Sequence, residues 1–409
     1  MATPEAPKVK VAIIGAGLTG LLVAHGLRKN GFDVVIFERE RHHGERPRDW
    51  SILIHWAMPL FTKLLSEELV ASLPEALTNA HLTFDASVES ISAYNGSTGE
   101  LIFTNPTPGA RRVSRQRLRA LLLRDLQDAG VIRWDKHLAG LEEQGGEDGP
   151  VKLTFEDGET YEADYVLGAD GVASKLRELL FRGDEVAKPR YSGFYFAMAV
   201  ARYGDPEKID AVMKPHPVTA IVFANDCVGG SGVMHAHPPD DKSQWTVFWV
   251  KIWRKSILVT PEDATYGQKA LDFLRATTKG LAAPFQSFID WTPDGSDTYI
   301  NEMRVWASRP FDNRGGRVTL AGDAAHAMLP YRGQGFQHAI LDATKYLDAL
   351  LQIRDAGANR RDVFAAYDKD MVERGEKAVN QSLKEAELSM DLETVGQMTM
   401  VKKGHGPEA

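Results

Sequence analysis

An α/β architecture of two lobes, with a mostly antiparallel sheet inserted into a parallel one and helices toward the C-terminus, follows from three observations on this sequence. The opening run KVKVAIIGAG is almost unbroken apolar residues, as a parallel strand buried on both faces requires. From about 188 to 305 the texture changes to aromatic, alternating segments, the pattern of antiparallel strands with one packed face. Residues 333–380 return to helical periodicity. At 409 residues, 43% hydrophobic and 9% aromatic, the chain can fill one large core or two coupled ones.

Charge and cysteine content exclude several classes. With 48 basic against 56 acidic residues and a net charge of −8, no electrostatic footprint for nucleic acid is present. The single Cys227 rules out an internal disulfide or a cysteine-built metal site and fits a reducing compartment, so a cytoplasmic location is expected. The N-terminal MATPEAPKVK has no apolar signal core, and the longest apolar stretches, such as 194–201, fall far short of the roughly 20 residues that span a bilayer.

The first strand, Val9 to Ile14, leads into Gly15, Gly17 and Gly20 in G-x-G-x-x-G spacing. Leu18, Leu21, Leu22 and Ala24 then mark a helix closing at Asn30-Gly31, and a second strand, Val34 to Phe37, ends on Glu38. Gly15 permits the tight turn, Gly17 lets a pyrophosphate approach bare backbone, and Gly20 lets helix and strand pack closely. The helix N-terminus offers free N–H groups to the anion, and Glu38 stands where a ribose diol would lie. The unit is Rossmann-like and its ligand an adenine dinucleotide, NAD or FAD.

Residues 115–130 predict a helix with Leu118, Leu121, Leu122, Leu126 and Ala129 inward; Arg115 at its start reads either as a salt-bridged surface residue or as a ligand contact. A hairpin with Asp157-Gly158 at its turn precedes the strand Tyr165–Leu167, which stops at Asp170-Gly171. Segment 81–104 also reads as a hairpin and joins the inserted sheet. In that lobe Tyr195, Trp245, Phe248, Trp249 and Trp253 either line a pocket for a planar, apolar substrate or form the lobe's own core. His235 and His237 share a strand face but lack a third ligand, so no metal site is expected. Near the end, RVTLAGDAAHAMLPYRGQG (317–335) places Gly322-Asp323, Pro330, Gly333 and Gly335 between a strand and an amphipathic helix bearing Phe336, Ala339, Ile340, Ala343, Leu347 and Leu350. A carboxylate and loose backbone at the carboxyl end of a strand point to a ligand.

Taken together, the glycine motif ending on Glu38, GADGVASKLR around Asp170, and LAGDAAHAMLPYRGQG (320–335) resemble one family over about residues 8–350. It is the single-component (group A) FAD-dependent aromatic-hydroxylase type of flavoprotein monooxygenase, which includes para-hydroxybenzoate hydroxylase and kynurenine monooxygenase. The resemblance implies a discontinuous FAD-binding domain (1–80, 105–185 and 306–350), a substrate-binding sheet domain (81–104 and 186–305) and a C-terminal helical segment (351–409). It implies that Asp323 holds the ribityl chain of FAD, with Gly322 and Ala324 keeping the backbone close. Pro330, Gly333 and Gly335 would pass beside the isoalloxazine, and the following helix would aim its N-terminus at the ring. It also puts Arg115 near the pyrophosphate or ribityl region, and links Asp170-Gly171 and Arg177 to FAD and nicotinamide binding. Arg46 and Arg48 are alternatives for a pyrophosphate contact. His326 reads as hydrogen-bonded within its loop.

The reaction so implied is hydroxylation: NAD(P)H reduces FAD, dioxygen adds at the flavin C4a, and the hydroperoxide delivers one oxygen atom to an electron-rich aromatic or multi-ring small molecule. No catalytic acid or base is identified; His55 is the candidate. Two departures stand out: Tyr191-Ser192-Gly193 is followed by Met198-Ala199 where many relatives carry an Arg-Gly pair, and Gln337 stands where asparagine is usual. The rival readings are epoxidation or Baeyer–Villiger oxygenation in the same site, and a flavin-binding redox sensor without turnover. No second G-x-G-x-x-G marks a separate nicotinamide domain, and no W-x-W-x-I-P of the flavin halogenases is present.

Overall fold

A computed structural model of the chain describes residues 9–45, 48–146 and 149–406. Arg46 lies outside the described residues. The strand Lys10–Ile14 is buried after its first residue and is central in a five-stranded parallel sheet. It pairs with Asp33–Phe37 on one side and Tyr165–Gly168 on the other; Val318–Leu320 and Ile132–Arg133 form the edges. Four apolar residues in a row are what a strand covered on both faces needs. The helix Leu18–Lys29 buries Leu21, Leu22 and Val23 against this sheet and ends at Asn30. Beside it the helix Arg115–Asp128, capped by the Ser114 hydroxyl accepting from the Arg117 amide, buries Leu118, Leu121, Leu122 and Leu126. The Asp157-Gly158 turn joins Val151–Phe155 to Thr160–Ala163 in a separate three-stranded sheet with Leu138–Glu143.

The inserted lobe is a seven-stranded sheet in the order Asp297–Val305, Arg190–Arg202, Thr246–Arg254, Cys227–His235, Thr219–Ala224, Ser90–Asn95, Leu101–Pro106. All pairs are antiparallel except Thr219–Ala224 with Ser90–Asn95, where the chain re-enters beside the hairpin expected at 81–104. Because side chains alternate at period two, neighbouring aromatics point opposite ways. Tyr195, Trp245, Trp249 and Trp253 pack on one face against the helices Pro206–Met213, Gly267–Thr277 and Phe285–Asp290. Met198, Met234, Phe248 and Tyr299, with Phe196 and Val250, form a smaller cluster on the other.

A two-stranded sheet, Ser51–Ile54 with Arg111–Ser114, lies between the lobes. The helix Gln334–Ala356 runs without a break past residue 350, and Arg360–Leu388 inserts Phe364, Tyr367 and Met371 into the first lobe's core. The segment set apart from residue 351 therefore shares that core through the first half of its helix. Farther along, Val379, Ala386, Met390, Met398 and Met400 cover Phe223, Val228 and Ile252 of the inserted sheet. Among the described residues no helix is long and apolar enough to cross a membrane, and no cluster of three metal-type ligands occurs; His235 and His237 stack on each other at 5.5 Å.

Candidate dinucleotide and substrate site

The glycine loop is built for close approach. A Cβ on Gly20 would sit 2.1 Å from the Gly15 carbonyl oxygen, so any side chain there would force the helix off the strand. Gly17 has open space beside it, with only the Ala169 carbonyl oxygen at 3.9 Å from a would-be Cβ. The loop is held from below. Buried Glu38 accepts from the Ala16 and Glu40 amides (2.6 and 2.9 Å), while Arg119 donates to the Ala16 carbonyl and to Glu40 at 2.8 Å each. Glu38 thus stands at the strand end as expected, already clasping the loop. Arg119 was not legible beforehand, although it lies one helical turn beyond Arg115.

Gly322 adopts φ 61°, and a Cβ there would meet the Thr19 hydroxyl at 2.5 Å, so the turn needs glycine twice over. It turns Asp323 outward. That side chain is exposed, yet enough protein surrounds it that loss of hydration raises its carboxyl above the usual value, against the pull of His326, Arg115 and Arg177. Exposure together with desolvation describes a group facing a recess. Arg115 shares the recess: half-buried, stacked over Trp50 at 4.5 Å, its pKa lowered by burial but opposed by Glu40, Asp49 and Asp323. Pro330 and Gly333 are exposed while Tyr331 and Arg332 between them are buried, so the loop shows its bare side at the N-terminus of the Gln334–Ala356 helix. That end carries roughly half a positive charge. An open backbone, an accessible desolvated carboxylate and a guanidinium at one edge fit an adenine dinucleotide.

Asp170 and Arg177 serve this loop from behind. The Asp170 carboxylate accepts from the Ser174 hydroxyl (2.5 Å) and the Lys175 and Leu176 amides, capping the helix Lys175–Leu180, so both its oxygens are engaged locally. Arg177, fully buried and pushed down to about 10 by burial, donates to the carbonyls of Val172, Ala187 and Ala324. It ties the Asp170 turn to the Asp323 turn. His326 reaches beyond its own loop: its Nε2 lies 2.6 Å from Asp342, which also accepts from the Gly322 amide (2.9 Å) and from Arg374 (2.6 Å). Burial alone would raise the Asp342 carboxyl; His326 and Arg374 outweigh it and hold it well below the usual range.

His55 is buried 3.4 Å from the Gly333 carbonyl, and desolvation lowers it to about 4, so near neutrality it is an uncharged ring beside the loop. Gln337 fixes that neighbourhood, its amide oxygen accepting from the His55 amide and its nitrogen donating to the Leu53 carbonyl at 2.7 Å. The C-terminal tail arrives here too: Arg332 donates to the Gly406 carbonyl, and the His405 ring stands perpendicular to His55 at 6.0 Å. Nothing in the tail's composition announced this.

The aromatic pocket candidates separate by face. Phe248 is on the side toward the first lobe, under the Arg112 guanidinium at 5.2 Å. Tyr195 packs on Trp253, the Trp249 indole donates to Thr292, and the Trp245 indole donates to the Pro238 carbonyl. These three belong to the core behind the sheet: Tyr195 and Trp249 reach it by the alternation of their strands, and Trp245 joins it from just before Thr246. Met198, Met234 and Tyr299, all buried, cluster with Phe248 on the opposite face. Arg48 lies over Tyr299 at 5.1 Å and reaches Asn301, at the inserted lobe.

Comparison with known proteins agrees with this fold. The family model described as "FAD binding domain" matches residues 8–382. An FAD-dependent monooxygenase of Penicillium herquei, phnB, is 28% identical over 403 residues, covering 98% of this chain and 96% of the relative. Another from Emericella nidulans, dbaB, is 30% identical over 355 residues, covering 83% and 86%. Among solved structures, a salicylate hydroxylase substrate complex superposes with a TM-score of 0.75 at 20% identity, covering 97% of this chain and 94% of that one. A 2,6-dihydroxypyridine-3-hydroxylase from Arthrobacter nicotinovorans gives 0.71 at 20%, covering 94% of each chain. At such identities these structures speak for the fold alone.

Proposed function

We propose that this chain, which belongs to the FAD binding domain family and is an FAD-dependent monooxygenase, uses NAD(P)H and dioxygen to hydroxylate an electron-rich aromatic or multi-ring small molecule. The observation that carries the reading is Asp323, a desolvated but accessible carboxylate beside Arg115 at the end of a parallel strand. Gly15, Gly17, Gly20 and Glu38 would hold the adenosine and pyrophosphate, with Arg115 and the backbone at Asp170; Gly322 and Asp323 would hold the ribityl chain; Pro330, Gly333 and Gly335 would border the ring. Bound there, the flavin would supply electron transfer from NAD(P)H and the activation of dioxygen.

The chain's own part is positioning and exclusion of water. The helix beginning at Gln334 would offer its N-terminal amides to negative charge on a ring bound there. The buried apolar cluster of Met198, Met234, Phe248 and Tyr299 would exclude water from that side of the inserted sheet. His55, uncharged near neutrality, is available at the loop to accept a proton rather than to donate one. The proposed location is the cytoplasm, in keeping with a single cysteine.

The test is purification followed by NADPH and NADH oxidation with and without candidate aromatics, under labelled dioxygen. One labelled atom per product supports the proposal, and the product's structure separates hydroxylation from epoxidation or Baeyer–Villiger insertion. A yellow protein inert to both nucleotides points to the sensor; a colourless one refutes the reading.

A further inference from the structure

Behind the loop that turns its bare side outward at Pro330 and Gly333 lies a cavity of about 300 Å³. The side chains of Tyr331 and Arg332 are buried on this inner side, where Gln334 and His338 of the helix Gln334–Ala356 face the helix Arg360–Leu388. On the second helix Arg374, Lys377, Gln381 and Glu385 recur at intervals of three and four residues, and so share the face that walls the cavity. Most of the buried polar groups there are matched. Arg374 donates to Asp342, to Asp370 and to the His338 Nδ1, and Lys345 also reaches Asp370. The His338 proton is thereby fixed on Nε2, and burial lowers the ring to about 3, so it stays neutral.

Glu385 departs from that pattern. It is 1% exposed, and its Oε1 accepts from the Gln381 side chain at 2.7 Å and from the Thr399 amide at 2.8 Å, but its Oε2 has no hydrogen-bond partner. A carboxylate oxygen taken out of water without a donor is unfavourable, and the longer-range attraction of Arg332 does not replace a hydrogen bond. At the mouth, Glu373 and Lys377 are exposed and, although four residues apart on one helix, make no ion pair with each other or with any other described residue. Met328, Tyr331 and Ala378 add apolar wall. Arg332, Arg374 and Lys377 balance Asp370, Glu373 and Glu385, so the wall favours a ligand without net charge. Lys377 and Glu385, eight residues apart, are separated by about 12 Å along the helix axis.

We infer that this cavity is a binding site for a small extended zwitterion, an amino carboxylate whose ammonium donates to the free Glu385 oxygen and whose carboxylate meets Lys377 at the mouth. Its methylene chain lies along Met328, Tyr331 and Ala378. The ligand's charges cancel as those of the wall do, and a short chain hydrogen-bonded at both ends spans the distance between the two residues. None of the residues assigned above to the dinucleotide lines the cavity, so the inference stands apart from the monooxygenase reading. A molecule held there would brace the loop from behind, through Tyr331 and Arg332.

Calorimetric titration of the purified, FAD-loaded protein with 6-aminohexanoate, hexylamine and hexanoate tests the assignment. 6-Aminohexanoate is expected to bind with a Kd below about 1 mM. Hexanoate, which lacks the ammonium, should bind at least about ten-fold more weakly, and hexylamine, which lacks only the exposed pair with Lys377, about two- to five-fold more weakly. E385Q, which puts an uncharged amide at the deep end, should lower the affinity for 6-aminohexanoate at least about ten-fold, and K377M about two- to five-fold. Should E385Q melt early, A378F, which fills the cavity from a half-buried position on its wall, is read instead and abolishes binding. No binding at about 10 mM, hexanoate or hexylamine binding as tightly as 6-aminohexanoate, or an affinity unchanged in E385Q and A378F overturns the assignment and leaves an ordered water as the partner of Glu385.

Discussion

Replacing Asp342 by asparagine tests whether the turn that presents Asp323 is held by electrostatics from the helix behind it. The carboxylate has no exposure and accepts three hydrogen bonds, from the Gly322 amide, the His326 ring and Arg374. Removing one member of a buried ion pair destabilises by about 3–5 kcal/mol, because the partner's charge is left without a match. Arg374 is partly relieved by Asp370 and keeps 17% side-chain exposure, which puts the expected loss at the lower end, about 3 kcal/mol. Against a total of about 5–15 kcal/mol that is a large fraction. The same substitution weakens the anchor of the Gly322 amide, so FAD release should quicken as stability falls. Denaturant unfolding of D342N, R374M and the double variant, each with and without FAD, gives the measurement. The two single losses should sum to more than the double loss by about 1–3 kcal/mol. Strict additivity, or a D342N protein within about 0.5 kcal/mol of the parent, would refute the network as the turn's support.

Three further outcomes are expected. Asp323→Asn should lower FAD affinity at least about ten-fold, yet leave the FAD-free protein as stable or slightly more so, since it removes a carboxylate that burial penalises; equilibrium dialysis and melting of both forms check this. Trp249→Ala, which empties part of the core behind the inserted sheet, should cost about 3–5 kcal/mol, read by urea unfolding; a loss below about 1 kcal/mol would contradict its packing there. Acid should destabilise the fold between pH 6.5 and about 4. His55 is lowered to about 4 and His338 and His405 to about 3, all by burial first, so in that window the unfolded chain binds protons that the folded one refuses. Each such histidine contributes up to about 1.4 kcal/mol per pH unit, and a flat unfolding free energy from pH 7 to 4.5 would contradict their burial.

Much of the site was legible because its signals are local. Gly20, Gly322 and Glu38 are dictated by steric approach and strand length within a few residues of chain: Glu38 and Gly322 follow two strands of the same parallel sheet, and Gly20 lies in the first turn of the helix Leu18–Lys29. Arg112, Asp342 and His405 were not legible, since an arginine, an aspartate and a histidine carry no periodic signal and acquire meaning only from what folds against them.

The sequence by itself determined the parallel and antiparallel lobes, the dinucleotide loop and the acidic turn before the Gln334–Ala356 helix, because hydrophobic period and glycine sterics act over short range. Only the tertiary structure decided which aromatic of the inserted sheet looks toward the first lobe. Phe248 and Trp249 are adjacent and alike in composition, and their faces are assigned by the helices that cover one side. On the other side Phe248 packs with Met198, Met234 and Tyr299 under the Arg112 guanidinium.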